Sequence, residues 1–149
     1  MVKAKICGVT RLEDALLAER LGAWAVGFIL APGSKRYRPP EHYAPISRAL
    51  GPFVARVGVF QDAPPEAVLE AMRTARLQVA QLHGDEPPEW AEALRAHLPV
   101  IKAFKLSGPA DPHLADYPAD ALLLDGVSPG SGQGYPLEWL PPPPPPPPP

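Results

Sequence analysis

Short apolar runs rich in β-forming residues alternate with amphipathic helical stretches, and this alternation restricts the fold more than any other feature of the chain. The runs begin at intervals of about 20 to 30 residues, without sequence repetition between the units. They cover residues 3–7, 25–30, 53–60, 79–82, 100–104 and 121–124. Strands that are apolar on both faces are buried on both faces, so the pattern predicts a parallel sheet covered by helices.

The stretches between the runs carry signals for helices. Thr10 and Glu13 fit a T-x-x-E capping box, and Gly22 follows the last apolar residue of the first helical stretch. Further helices are predicted at about 40–50, 65–76 and 88–97, with a loosely helical segment near 111–116. Prolines fit the starts of these helices because the first turn does not use the amide N–H that proline lacks.

Two architectures fit this alternation, a doubly wound open sheet and a TIM-type (βα)8 barrel. Chemistry-capable side chains follow nearly every predicted strand, namely Cys7, Arg36, Asp62, His83 and Asp125. Such a ring favours a barrel, whose βα-loops converge on one face. No G-x-G-x-x-G follows the first strand, which gives a dinucleotide-binding fold little support. We therefore predict an α/β chain in which residues 1–140 form a partial (βα) barrel of about six βα units.

An unbroken proline run occupies residues 141–149. Proline lacks an amide N–H and disfavours helix for the residue before it, so the run cannot continue a barrel and would form a polyproline II rod. One interpretation is a ligand for a proline-reading domain. The other is an artefact of cloning or of a frameshift. We place this tail outside the folded domain, as a disordered or artefactual segment.

Composition excludes several classes of partner. The formal net charge of −2 offers no basic footprint for nucleic acid. No apolar run approaches the roughly 20 residues that cross a bilayer, so no membrane partner is expected. The N-terminal residues do not form a secretory signal. A single cysteine rules out an intramolecular disulfide framework, and we expect a cytoplasmic protein.

Cys7 and Asp125 are the candidates for acid–base chemistry. Cys7 ends the first strand, where it is either a small buried hydrophobic residue or a thiolate favoured by the N-terminus of the next helix. Asp125 follows three leucines directly, where it is either a solvated loop acid or a general acid at the rim of an apolar barrel.

Arg36, Gln81 and His83 are the candidates for substrate binding. Arg36 stands in a cationic cluster and is either a solvated charge or a clamp for a carboxylate or phosphate. Gln81 and His83 lie two residues apart, on one side of a strand end, where His83 either contacts substrate or satisfies a backbone group. A metal site is not expected, since no second histidine, cysteine or carboxylate lies at ligand spacing.

Five segments, in this order, resemble the phosphoribosylanthranilate isomerase family of tryptophan biosynthesis. They are residues 5–10 (KICGVT), 28–37, 57–60 (VGVF), 81–84 (QLHG) and 123–125 (LLD). One such motif would mean little, but five in the family's order and spacing are specific. The resemblance extends over residues 2–139.

The resemblance implies an isomerase of the aldose–ketose type that acts without metal or organic cofactor. Its substrate would be N-(5-phosphoribosyl)anthranilate and its product 1-(2-carboxyphenylamino)-1-deoxyribulose 5-phosphate, related by an Amadori rearrangement. Asp125 would be the general acid and Cys7 the general base. Arg36 would hold the anthranilate carboxylate, and Gln81 and His83 would line the pocket.

The chain also departs from the family pattern. Members of the family close eight strands in about 200 residues, and this chain reaches its proline run after about six. The loops that grip the substrate phosphate follow strands seven and eight. The first and sixth strands would then be unpaired edges. The alternative function is therefore a catalytically incompetent fragment that associates with itself, for example as a homodimer, or binds through its proline tail. A third hypothesis, a phosphosugar epimerase, lacks the metal-binding histidines and aspartates that such enzymes place at strand ends.

Overall fold

The structure, a computed structural model, describes residues 1–128 and 131–142 of the chain. These residues form one parallel sheet whose strand order is the order of the chain. Its strands are β1 (Lys5–Cys7), β2 (Ala25–Ile29), β3 (Ala55–Phe60), β4 (Val79–Leu82), β5 (Val100–Leu106) and β6 (Ala121–Gly126). The helices are α1 (Leu12–Arg20), α2 (Pro40–Ala49), α3 (Pro65–Ala75) and α4 (Pro88–Arg95), with short 3-10 helices at Pro112–Asp116 and Leu137–Trp139.

The strand order decides between the two predicted architectures. A doubly wound sheet reverses its strand order at a switch point, whereas each strand of a barrel pairs with the next along the chain. Here every neighbouring pair is consecutive and parallel, from β1 with β2 to β5 with β6. The prediction of a TIM-type barrel with about six βα units is confirmed. Within the described residues, β1 and β6 are the two edges of the sheet.

Register determines which side chains share a face of the sheet. Ile29 pairs with Val59, and Val59 pairs with Gln81, so these three side chains point to the face opposite the helices. We call this the concave face. The other face packs on α1 to α4 and contributes the large buried residues of the core, among them Phe28, Phe60, Leu82 and Val100. The site of the barrel is therefore built from alternate strand residues, and the core from the residues between them.

The start of α1 differs from the prediction. The capping box of Thr10 and Glu13 is wrong, because α1 begins at Leu12 and its N-cap is Arg11, without a side-chain cap. The Thr10 carbonyl instead accepts a hydrogen bond from His42 Nε2 at 2.7 Å. Thr10 is thus linked to α2 and does not cap α1. The predicted end is confirmed, since Gly22 adopts a φ of +87° directly after the last turn.

β5 and β6 are longer than predicted, by two residues each at their C-terminal ends. Their pairing continues through Lys105 with Asp125 and through Leu106 with Gly126. Asp125 consequently lies within β6 and takes its direction from the sheet rather than from a loop. A strand position fixes a side chain more firmly than a loop position does.

The proline tail is described only at residues 141–142, which form neither helix nor strand. Residues 143–149 lie outside the described part of the chain, so the polyproline rod and the domain boundary at residue 140 stay predictions. Among the described residues, no helix has both the length and the apolar character that crossing a membrane requires.

A buried arginine joins β3 to the end of α2. Arg56 is only 8% exposed, although it lies in a strand of apolar residues. Its guanidinium donates hydrogen bonds to the carbonyls of Ser47 at 2.9 Å, Gly51 at 3.0 Å and Val54 at 2.8 Å, and also to that of Leu50. The last carbonyls of a helix have no partner within the helix, and Arg56 supplies one.

Replacing this arginine tests its contribution to stability. Arg56→Met should lower the free energy of unfolding by about 3 kcal/mol, because several buried carbonyls lose their donor at once. Urea unfolding followed by far-UV circular dichroism measures the change. The exposed Arg48, at the end of the same helix, offers the control Arg48→Met, which should change stability by less than about 0.5 kcal/mol. Equal effects of the two variants would contradict a structural role for Arg56.

Candidate active site

Cys7 stands at the end of β1 on the concave face, with its side chain exposed. Its register partner is Gly27 on β2. A Cβ at Gly27 would lie 2.7 Å from Cys7 Sγ, closer than carbon and sulfur can approach. The glycine therefore leaves the space that the thiol occupies. The sulfur also accepts a hydrogen bond from Lys5 Nζ at 3.1 Å.

Asp125 lies on β6, at the other edge of the sheet and on the same concave face. Its Oδ1 accepts a hydrogen bond from the Gly126 amide at 2.8 Å. Its Oδ2 lies 3.6 Å from His83 Nε2, and the carboxyl side chain is 31% exposed. One oxygen of Asp125 is thus fixed by the backbone, and the other faces the middle of the site.

Gln81 and His83 occupy the centre of the concave face. Gln81 lies within β4 and His83 directly follows this strand, and Gln81 Nε2 lies 3.3 Å from His83 Nδ1. Gln81 Oε1 and His83 Nε2 are buried and have no hydrogen-bond partner among the described residues. Buried polar atoms without partners are costly, so these two atoms are suited to bind a ligand.

Burial lowers the pKa of the His83 imidazole below its ordinary value of 6.5. Lys105 and Lys5 lower this pKa further, while Asp125 and Glu86 oppose them. His83 therefore favours its neutral form. Charged groups of β1, β5 and β6 thus influence one imidazole.

Arg36 is held beside Cys7 by the loop after β2. Its guanidinium donates to the Cys7 carbonyl at 3.2 Å, and its amide donates to Ser34 Oγ at 3.2 Å. The guanidinium lies against Gly8, which has a φ of +83°, and a Cβ at Gly8 would overlap it. Glycine is therefore required at this position for two reasons: other residues rarely adopt this φ, and a side chain would overlap the guanidinium.

A cavity of about 220 Å³ connects Arg36 to the centre of the site. Its walls are formed by apolar residues of β2 and β3 with polar groups at the margins: Ile29, Ala31, Ser34, Arg36, Val59, Phe60, Gln61, His83 and Lys105. Arg36 and His83 thus border the same space. An apolar floor with a guanidinium at one end fits a flat ring that carries a carboxylate.

A buried ion pair supports the loop that carries His83. Lys102 Nζ lies 2.9 Å from Glu86 Oε1, and both side chains are almost fully buried. The Glu86 carboxylate also accepts hydrogen bonds from the amides of Gly84, at 2.8 Å, and Asp62, at 3.1 Å. Lys102 donates in addition to the Gly84 carbonyl. The charges are compensated in place, which buried ions require.

Aromatic residues and a second cavity flank this ion pair. Tyr117 OH donates to the Glu86 carbonyl at 3.0 Å, and burial together with the nearby carboxylate raises the pKa of Tyr117 to about 12. The cavity, of about 400 Å³, lies between His83, Lys102, Lys105 and Tyr117. This cavity lies on the β5 side of the site.

The structure brings the sequence-derived candidates together in two groups on one face. Cys7 and Arg36 are in contact on the β1 side, and Gln81, His83 and Asp125 are adjacent on the β4 and β6 side. Asp62, at the end of β3, does not join them. Its Oδ1 accepts from the Asp85 amide at 2.7 Å, so it stabilises the loop after β4.

Sequence reasoning missed three lysines and one glutamate of this region. Lys5 was detectable, since it lies two residues before Cys7 and therefore on the same strand face. Lys102 and Glu86 were detectable as charges in or beside an apolar strand, where an ion must find a partner. Lys105 carried no signal, because its strand was predicted to end at residue 104. Across the described residues, no cluster of three or more histidine, cysteine, aspartate or glutamate side chains could hold a metal ion.

A parallel βα sheet with acid–base groups on one face, at the carboxyl ends of its strands, defines a (βα)-barrel enzyme. The model of the N-(5′-phosphoribosyl)anthranilate (PRA) isomerase family matches residues 4–141 of the chain. The N-(5′-phosphoribosyl)anthranilate isomerase of Thermotoga maritima is 44% identical over 141 residues, which is 93% of this chain and 69% of the relative. The chain belongs to the N-(5′-phosphoribosyl)anthranilate isomerase family, and the resemblance found in its motifs is confirmed.

Solved structures agree with this assignment. The crystal structure of the phosphoribosylanthranilate isomerase from Thermus thermophilus superposes with a TM-score of 0.90 at 68% identity, covering 93% of this chain and 69% of that one. Another phosphoribosylanthranilate isomerase, in complex with reduced 1-(o-carboxyphenylamino)-1-deoxyribulose 5-phosphate, superposes with a TM-score of 0.80 at 46% identity. This alignment covers 85% of this chain and 66% of that one.

The lowered pKa of His83 predicts how stability changes with pH. The unfolded chain, with an imidazole pKa near 6.5, binds more protons than the folded chain, so stability should fall as pH drops from 6.5 through the lower folded pKa. His83→Gln should remove the part of the stability loss at low pH that is due to His83. The melting temperature, measured at several pH values, reports this loss. The exposed His113 offers the control His113→Gln, which should keep the loss. An unchanged pH dependence in His83→Gln would show that His83 is not held neutral.

Proposed function

We propose that the chain catalyses an Amadori rearrangement of N-(5′-phosphoribosyl)anthranilate in tryptophan biosynthesis, with Asp125 as general acid and Cys7 as general base. The observation that carries the proposal is the arrangement of these two groups, one from each edge of the sheet, on a single concave face. A thiol and a carboxyl on opposite sides of one bound sugar can divide proton removal and proton donation between them.

In the proposed mechanism, Asp125 gives its proton to the furanose ring oxygen. The bond between this oxygen and C1 breaks, and the nitrogen lone pair forms the iminium C1=N bond. The Cys7 thiolate then removes the C2 proton, and the electrons of that C–H bond form the C1=C2 bond of an enolamine while the nitrogen regains its lone pair. The enolamine then takes a proton at C1 and loses the proton of its C2 hydroxyl, and the electrons of that O–H bond form the C2=O bond of the ketone. The proton given to the ring oxygen remains in the product as a hydroxyl, the C2 hydroxyl proton replaces it at the site, and no redox partner or organic cofactor is needed.

Asp125 is well supported for the acid role by its neighbours. One carboxyl oxygen is held by the Gly126 amide, which leaves Oδ2 free to carry the proton toward substrate. The other oxygen, Oδ2, lies 3.6 Å from His83 Nε2, whose imidazole favours its neutral form. The geometry therefore suits a carboxyl that alternates between acid and base forms.

Arg36, Gln81 and His83 are proposed to bind the substrate. The Arg36 guanidinium borders the apolar cavity, where it can take the anthranilate carboxylate while the ring lies on Ile29 and Val59. Gln81 Oε1 and His83 Nε2, which have no hydrogen-bond partner in the described part of the chain, would meet the sugar hydroxyls. The relative bound to a reduced 1-(o-carboxyphenylamino)-1-deoxyribulose 5-phosphate supports a ligand with this combination of groups.

A second function is favoured by the exposed edges of the sheet. Ile6 on β1 is 45% exposed and Leu122 on β6 is 39% exposed. An edge with apolar side chains and unpaired backbone groups favours association between copies. We therefore keep self-association, as a homodimer, as a proposal beside catalysis. A cytoplasmic location is likewise proposed, since a reducing compartment preserves an exposed free thiol such as Cys7.

Steady-state kinetics of variants tests the proposed roles. Cys7→Ala and Asp125→Asn should each lower kcat by about a hundredfold or more, because each removes one proton-transfer group. Arg36→Ala should mainly raise KM, since it removes binding that is equal in the ground and transition states. The loss of anthranilate-type fluorescence on conversion of N-(5′-phosphoribosyl)anthranilate would report turnover.

The control is Asp116→Asn, which removes the same charge from an exposed 3-10 helix and should leave kcat and KM unchanged. Near-normal turnover in Cys7→Ala or Asp125→Asn would remove that residue from the mechanism. Absence of turnover in the unaltered chain, together with dimers in sedimentation velocity, would favour self-association as the function.

A further inference from the structure

We propose that Lys5 is a positioning residue for the base, and that its ammonium group holds Cys7 in the thiolate form. The inference rests on the proposed role of Cys7 as base, and it assigns a role to Lys5, which was given none among the candidate site residues. Its basis is the contact between Lys5 Nζ and Cys7 Sγ, at 3.1 Å. This is the distance of a charge-assisted hydrogen bond to sulfur.

The sheet determines this contact. Lys5 and Cys7 are two residues apart on β1, so their side chains leave the strand on the same face. Opposite them, a Cβ at Gly27 would lie 2.7 Å from Cys7 Sγ and 3.2 Å from Lys5 Cε. The space left by this one glycine therefore holds both the thiol and the aliphatic part of Lys5. A residue with a Cβ at position 27 would displace the thiol and crowd the lysine.

The other charged groups near Cys7 are engaged elsewhere or stand farther off. Arg36 donates to the Cys7 carbonyl oxygen rather than to the sulfur. Asp14, on α1 beside the groove that Cys7 lines, is bound by Arg11 through two hydrogen bonds of 3.0 Å. The remaining charged groups face the site from beyond β3: His83 directly follows β4, Lys105 lies on β5 and Asp125 on β6. Among the described residues, Lys5 is the cation in contact with the sulfur.

The chemistry of the base explains why such a contact matters. A thiol removes a proton from carbon only as the thiolate, and an ordinary exposed thiol is mostly protonated at neutral pH. A neighbouring ammonium group stabilises the thiolate and does not compete for the proton that the sulfur takes. Once Cys7 is protonated, the attraction to Lys5 weakens, which eases return of the proton to the product.

Thiol alkylation tests the proposal without relying on turnover. The full chain would be treated with iodoacetamide at pH 7, and the rate at Cys7, the single cysteine, followed by mass spectrometry. Lys5→Met should react about tenfold more slowly, because an adjacent opposite charge changes the thiolate fraction by roughly this factor. Lys5→Arg, which keeps the charge, should restore most of the rate.

Lys3→Met is the matched control. Lys3 carries the same charge two residues earlier, and its Nζ lies 4.1 Å from the centre of the Trp24 ring rather than near the sulfur. Its replacement should leave the alkylation rate within about twofold. A rate in Lys5→Met equal to that of Lys3→Met would overturn the proposal.

Two further measurements complete the test. Far-UV circular dichroism shows whether Lys5→Met folds. If this variant does not fold, the alkylation rate of the unaltered chain is compared between its native and its urea-unfolded state. Faster alkylation in the native state supports the proposal, and an equal or slower rate overturns it. The acid limb of the pH–rate profile should also move to higher pH in Lys5→Met. A chain without turnover whose alkylation still depends on Lys5 would reject the proposed function and retain this inference.

Discussion

The pairing of each strand with the next in parallel register is the constraint on which the site depends. It places every second strand residue on the concave face, so that Cys7 at one edge and Asp125 at the other point into the same space. A shift of one residue in the pairing of β1 or of β6 would turn Cys7 or Asp125, the proposed base and acid, toward the helices. The strand residues between these positions are mostly apolar and pack on the helices to form the core. Their burial stabilises the register, and the register positions the site.

A buried ion pair stabilises one of the loops that carry the site. The pair of Lys102 and Glu86 fixes the loop that follows β4, and through this loop the direction of His83. On the β1 side, Lys5 donates a hydrogen bond to the Cys7 sulfur, where Gly27 leaves room for both side chains. The site thus combines a neutral imidazole at its centre with cations at its margins, an arrangement suited to an anionic substrate.

Much of the fold followed from the sequence, because apolar runs and helix signals are local. The residues at strand ends were also predictable, and Cys7, Gln81 and His83 lie where the strand pattern indicated. Contacts between distant segments were not predictable: Thr10 contacts His42 and does not cap α1, and Asp62, which follows β3, accepts a hydrogen bond from the loop after β4. Such contacts depend on tertiary packing, which propensity does not contain.

A crystal structure of this chain with reduced 1-(o-carboxyphenylamino)-1-deoxyribulose 5-phosphate would show whether Cys7 and Asp125 face the ligand from opposite sides. We expect the ribulose C2 region to lie between Cys7 Sγ and the Asp125 carboxyl, with the aromatic carboxylate on Arg36. A complex with the analogue bound away from the concave face would contradict this expectation. So would a complex with the thiol and the carboxyl on the same side of the sugar chain, since one group could not then remove a proton while the other donates.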